Sequence, residues 1–145
     1  MQNDIKRSQI VEAAKSFLGT RWKHQGRDRR GVDCVGLLVA IADALECTPK
    51  DLIIPPYGRQ PDGSLMEYFR LHMTQVPLNK LKAGTALVFE FGGSPYHAGV
   101  LIDPARQSFV HAYAARKKVV YDVLNNNQQG RKLTSAWDFH GVVDG

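Results

Sequence analysis

Cysteine is scarce in this chain: Cys34 and Cys47 are the only two in 145 residues. Two thiols with no CxxC spacing and no histidine-rich tract exclude a disulfide framework and a thiolate zinc centre. If Cys34 begins a helix and Cys47 lies just past its end, a rise of about 1.5 Å per residue also separates them too widely to pair. No metal and no cofactor are expected. The N-terminal stretch lacks the apolar core of a signal peptide. The longest apolar run is far shorter than the roughly 20 residues a membrane-spanning helix needs. Synthesis in the cytoplasm without a cleaved leader, and no membrane span, are the corresponding expectations. Internal repeats, linkers and low-complexity segments are missing as well. Residues 1–145 therefore read as a single domain, long enough to bury a core without staples.

What is present is an ordinary apolar content of 43% and a net charge of +5. Arg21, Lys23, Arg27, Arg29 and Arg30 crowd one short stretch. Such a loop is either simply solvated or attracts an anionic wall, nucleic acid or an acidic partner. No nucleic-acid motif accompanies it, and no nucleic-acid partner is expected. Helical spacing over 8–18 puts Ile10, Ala13, Ala14, Phe17 and Leu18 on one face, with Gly19 at the capping position. A second helix runs from about Cys34 to Leu45 and is apolar most of the way round, which argues for burial on several sides. Pro55-Pro56-Tyr57-Gly58 forces an extended, turning connection. Ser64-Leu65-Met66-Glu67 reads as a capping box opening a third helix with Met66, Phe69 and Met73 inward. After Gly84 the period changes. Residues 85–91, 97–102, 108–113 and 118–123 are short β-branched and aromatic runs, Phe139–Val143 is a candidate closing strand, and Asn125–Gly130 reads as a loop. Helices first and an antiparallel meander second make an α+β layout.

The chemistry centres on Gly31-Val32-Asp33-Cys34-Val35-Gly36-Leu37, where a polar basic run gives way to an apolar helix. A cysteine on the first turn lies where unpaired N–H groups and the helix dipole favour its thiolate. It is either a nucleophile or a small buried apolar residue. A nucleophile needs a base to take its proton and a third polar group to orient that base. His97 opens the strand His97-Ala98-Gly99-Val100, and His111 lies near the end of the next, Ser108-Phe109-Val110-His111-Ala112. Neighbouring antiparallel strands can bring both rings to one end of a sheet, where a helix-borne Cys34 would meet His97 with His111 behind it. Gly99 leaves room for a close approach, the cysteine helix being one candidate.

These segments in this order, with Leu18-Gly19-Thr20-Arg21-Trp22 before them, resemble the NlpC/P60 cysteine peptidases over nearly the whole chain. Trp22-Lys23-His24-Gln25-Gly26, the later Pro55-Pro56-Tyr57 and the terminal Ala136-Trp137-Asp138-Phe139 are similar to the phage-type subgroup, encoded among tail-tip genes of siphophages, prophages and gene transfer agents. The resemblance implies a papain-like α+β fold and hydrolysis of a peptide bond in the peptidoglycan stem, often between D-glutamate and a diamino acid. It implies Cys34 as nucleophile, His97 as base and later acid, and His111 as the orienting group. Asp33 would help bind a stem-peptide amine, with Trp22 and His24 on the substrate side. The backbone N–H of Cys34 would contribute to an oxyanion hole. Tail-tip or hub proteins would be partners, at the virion tail tip and acting on the host wall. Trp22 stands where the family commonly has tyrosine, and Val35 where it usually has serine. Two other readings remain open, a structural tail-tip protein and a Cys/His amidase or acyltransferase.

Overall fold

The computed structural model describes residues 4–47, 63–91, 94–124 and 132–144. The 55–58 connection and the 125–130 loop lie outside them. Helix α1 (Arg7–Ser16) buries Ile10 and Ala14, and Gly19 behind it takes the left-handed φ of 86° that glycine tolerates. Helix α2 (Cys34–Ala44) has every residue from Val35 to Ala42 buried, as its all-round apolar pattern predicts. The polar stretch between these helices holds a short antiparallel pair, β2 (Arg27–Asp28) on β3 (Gly31–Val32). Two-residue strands carry no periodicity, so the sequence pattern passes over them.

Helix α3 spans Ser64–His72 and departs from the expected capping box. Its N-cap is Gly63, at φ 86°, and Ser64 is already helical. Phe69 is buried as expected. Met73 is buried too, but as the first residue of strand β4 (Met73–Val76), not on the helix. The reason is long-range: β4 pairs with β9 (Lys132–Phe139), from Met73↔Phe139 to Val76↔Ala136.

The main sheet adds β5 (Ala86–Phe91), β6 (Ser94–Asp103), β7 (Ser108–Tyr113) and β8 (Lys118–Val123) in the order β4-β9-β5-β6-β7-β8. Four strands thus form the expected meander. The closing strand falls at Lys132–Phe139 instead of Phe139–Val143, inserted between β4 and β5. Val142–Val143 (β10) pairs in parallel with β1 (Ile5–Lys6). The α+β class holds, with helices packed on an antiparallel sheet.

Alternation along the strands gives the sheet two buried faces. Val88, Ala98, Val100, Val110, Ala112 and Val119 join the helices in the larger core. Leu87, Phe89, Leu101, Phe109 and Ala136 form a second cluster. Arg7 clasps the start of α1 to β9, its guanidinium donating to both carboxylate oxygens of Asp138 at 2.8 and 3.1 Å.

Candidate active site

Helix α2 begins at Cys34 because Asp33 caps it. Asp33 has extended backbone angles, and its Oδ1 accepts the Gly36 N–H at 2.8 Å. Its Oδ2 accepts the Gln25 N–H at 2.8 Å, so one carboxylate ties the preceding loop to the helix. A Cβ at Gly36 would run into the carbonyl oxygen of Gly26, and that same oxygen accepts the Asp33 N–H at 3.2 Å. Asp33 is only 4% exposed.

Cys34 is half-buried, and the backbone N–H groups of Ala98, Val35 and Cys34 itself pull its thiol downward. Burial pushes the thiol up to about 12, and the Asp33 carboxylate beside it adds to the rise against those three N–H groups. This reverses the expectation that the helix start favours a thiolate, because desolvation outweighs the N-terminal dipole. The resting group is a thiol, and nucleophilic attack from it requires a base.

The candidate base, His97, lies on the sheet. The ladder between β6 and β7 pairs Val100↔Val110 and Leu101↔Phe109. His97, Ala98 and Gly99 pair with Phe89, Val88 and Leu87 on β5 instead. Helix α2 packs on both β6 and β7, and the backbone N–H of Ala98, one residue from His97, acts on the sulfur at its first turn. What approaches Gly99, however, is β7 and not the cysteine helix. A Cβ there would lie 2.9 Å from the Phe109 ring, 3.0 Å from the Val110 oxygen and 3.2 Å from the His111 Cβ.

His97 Nε2 lies 2.6 Å from His111 Nδ1, with the rings at 75°. His111 is fully buried, stacked on Tyr113 at 5.0 Å and flanked by Phe109 at 4.8 Å. Its Nε2 faces the Asp122 Oδ2 at 3.4 Å. His97, His111 and Asp122 thus form one line, and the Cys34 sulfur is acted on by the N–H of Ala98, the residue after His97. The sequence does hold a signal for Asp122. It is the single acid in an otherwise apolar and basic strand, and antiparallel pairing of that strand with Ser108–Tyr113 places it near His111.

Trp22 and His24 stack at 6.4 Å and are half-buried. The backbone N–H of Trp22 donates to the Lys117 carbonyl oxygen at 2.9 Å and its backbone bridges Val32, which places the pair along the loop leading to Cys34. Two of the loop's cations have local partners: Arg29 covers the Phe17 ring at 3.7 Å, and Arg30 pairs with Asp28 at 3.0 Å. Among the described residues no three His, Cys, Asp or Glu side chains converge as metal ligands, and no helix is long and apolar enough to cross a membrane.

No curated protein sequence matches the chain. Among solved structures, an NlpC/P60 family protein from Bacillus cereus superposes with a TM-score of 0.67 at 20% identity, over 94% of this chain and 41% of that one. The chain therefore spans less than half the length of that protein. The NlpC/p60 domain of the peptidoglycan hydrolase SagA gives 0.65 at 18% identity, over 93% of this chain and 100% of that domain. RipD from Mycobacterium tuberculosis, described as a non-catalytic NlpC/p60 domain protein adapted to peptidoglycan binding, gives 0.55 at 13% identity over 90% and 95%. At such identities these likenesses concern the fold. The NlpC/P60 family profile matches residues 19–138, a span that holds Cys34, His97 and His111. By that match the chain belongs to the NlpC/P60 family.

Proposed function

We propose that this chain is a cysteine peptidase that hydrolyses a peptide bond in the peptidoglycan stem. One observation carries the reading: the Ala98 N–H acts on the Cys34 sulfur, and the residue before Ala98 is His97, whose Nε2 lies 2.6 Å from His111 Nδ1. His97 Nε2 is engaged by His111, so the thiol proton passes to Nδ1. The thiolate attacks the scissile carbonyl carbon, and the Cys34 N–H bonds the oxyanion. The C–N bond then breaks as His97 returns its proton to the leaving amine, giving a thioester. Water, losing a proton to His97, attacks the thioester. Collapse of that adduct releases the new carboxylate and restores the thiol. Because the resting thiol is pushed up to about 12, proton transfer to His97 belongs to the reaction itself and is not completed beforehand.

The stem bond between D-glutamate and a diamino acid suits the site. Trp22 and His24 supply a flat aromatic wall on the substrate side. Asp33 draws the free amine of a stem peptide through its negative field, since 4% exposure leaves little of it for direct contact. The motif resemblance supports service at a phage tail tip, held by hub or tail-tip proteins and acting in the host periplasm or cell wall.

The test is digestion of purified peptidoglycan with mass spectrometry of the released muropeptides. Wild type is expected to give new stem-cleaved fragments. Cys34→Ala and His97→Ala abolish them, and His111→Ala weakens the reaction less. Full activity in Cys34→Ala overturns the mechanism. Binding without any new fragments from wild type overturns the enzyme reading in favour of a wall-binding protein.

A further inference from the structure

The Asp122 carboxylate shares a sheet face with His111, because β8 pairs Asp122 with Phe109 and Val120 with His111. We propose that Asp122 is a positioning residue that sets the tautomers of both histidines, so that Nδ1 of His97 is the unprotonated ring nitrogen. The inference rests on the peptidase reading of the same site.

The argument is one of proton counting. An ionised carboxylate only accepts hydrogen bonds, and the ring atom of His111 that faces it, at 3.4 Å, is Nε2. Nε2 must therefore carry the proton of a neutral His111, which leaves its Nδ1 an acceptor. The 2.6 Å contact between His111 Nδ1 and His97 Nε2 needs one proton, and His97 Nε2 has to supply it. A neutral imidazole has a single N–H, so His97 Nδ1 is left with its lone pair. That is the state a base must be in to accept a thiol proton. The reverse chain would place the His97 proton on Nδ1 and disable it. Geometry leaves little other freedom, since Tyr113 and Phe109 hold the plane of the His111 ring. The carboxylate is anchored too, its Oδ1 accepting the Val123 N–H at 2.8 Å. At 3.4 Å the pair is an electrostatic contact short of hydrogen-bond geometry, and the carboxylate's field favours the proton of His111 on Nε2.

Asp122→Asn is the informative substitution. The Val123 N–H keeps an oxygen at the Oδ1 position, so the amide nitrogen faces His111 Nε2 and donates to it. Every proton in the chain then reverses. Long-range nitrogen–proton NMR of the imidazoles reads this directly. Wild type is expected to show His97 protonated at Nε2, and Asp122→Asn to show it protonated at Nδ1. With peptidoglycan as substrate, kcat is expected to fall at least about 100-fold, the scale of a lost general base, with KM changed by less than about threefold. Asp122→Ala, which removes both acceptor and donor, is expected to give a mixture of His97 tautomers and a smaller loss. A wild-type His97 protonated at Nδ1 overturns the proposal, as does an Asp122→Asn spectrum and kcat that match wild type. If wild type shows the expected tautomer but cleaves no peptidoglycan, the peptidase reading fails and the role of Asp122 stands.

Discussion

Replacing Asp33 by asparagine separates two things that one carboxylate does. Its Oδ1 caps helix α2 through the Gly36 N–H and its Oδ2 holds the loop through the Gln25 N–H, both at 2.8 Å. Asparagine keeps one oxygen, so one of these two N–H groups faces an amide nitrogen instead of an acceptor. A buried donor left in that state costs about 1–3 kcal/mol, and losing the charge from the surviving bond adds to it. Taken together, Asp33→Asn should lower stability by roughly 2–3 kcal/mol, which for a urea slope of about 2 kcal/mol/M moves the midpoint down by about 1 M. The thiol responds in the opposite sense. The carboxylate is one of the two influences that raise Cys34. Its removal lowers the thiol, and each unit of that fall multiplies the thiolate present at neutral pH by about ten. The paired assay is urea unfolding alongside the pH profile of iodoacetamide labelling, with Cys47 as internal control. Expected are a less stable protein, a faster-labelled Cys34 and weaker peptidoglycan cleavage. A stable variant with an unchanged labelling profile would refute the placement of Asp33 as cap and as field source. Slower labelling would show that the cap, not the charge, governs the sulfur.

Three further outcomes follow from the geometry. Gly36→Ala drives a methyl into the Gly26 carbonyl, so it should destabilise by about 1–3 kcal/mol in urea unfolding and blunt Cys34 labelling as the loop lifts from the helix. Arg7→Met strips Asp138 of a two-pronged partner; with side chains 11% and 16% exposed, the loss should be about 2–4 kcal/mol by the same measurement. Because Cys34 titrates near 12 in the fold against an ordinary 9.0, the unfolded chain loses this proton first as pH rises. The stability that goes with the buried thiol is therefore complete below about 9 and is lost progressively toward 12. The urea midpoint of wild type should fall more steeply across that window than that of Cys34→Ala, and parallel curves would refute a raised thiol.

Much of this was legible where local pattern and final environment agree. The segment from Cys34 to Leu45 is apolar most of the way round, which argues for a helix buried on several sides, and α2 is such a helix. The runs 108–113 and 118–123 become β7 and β8 without change, since each strand's partner is its neighbour in sequence. Legibility failed where the partner is distant. Met73 looks helical until β9 arrives more than sixty positions later to claim it as a strand, and no local propensity encodes that ladder. The capping box failed for a related reason: Gly63 already supplies the turn into α3, so Ser64 is not needed at the cap.

The site divides along the same line. Cys34 announces itself by residue type at a helix start, and His97 and His111 by residue type on neighbouring strands, although β6 begins at Ser94 and not at His97 as expected. The state of the sulfur does not, because it depends on what covers it. The helix start alone predicts a thiolate, whereas the folded chain buries that start and sets Asp33 beside it, leaving a thiol. Proton direction is illegible in the same way. Two histidines 2.6 Å apart are symmetric until something outside the pair breaks the tie, and the atom that does so, Asp122 Oδ2, comes from a third strand whose contribution is visible only once its register is known. A base that must accept a proton from a reluctant thiol is more sensitive to that tie-break than one paired with a ready thiolate. The raised sulfur and the ordered histidines therefore stand or fall together: if Cys34 were found ionised at rest, the tautomer of His97 would cease to matter for the first step, and Asp122→Asn would leave acylation unchanged.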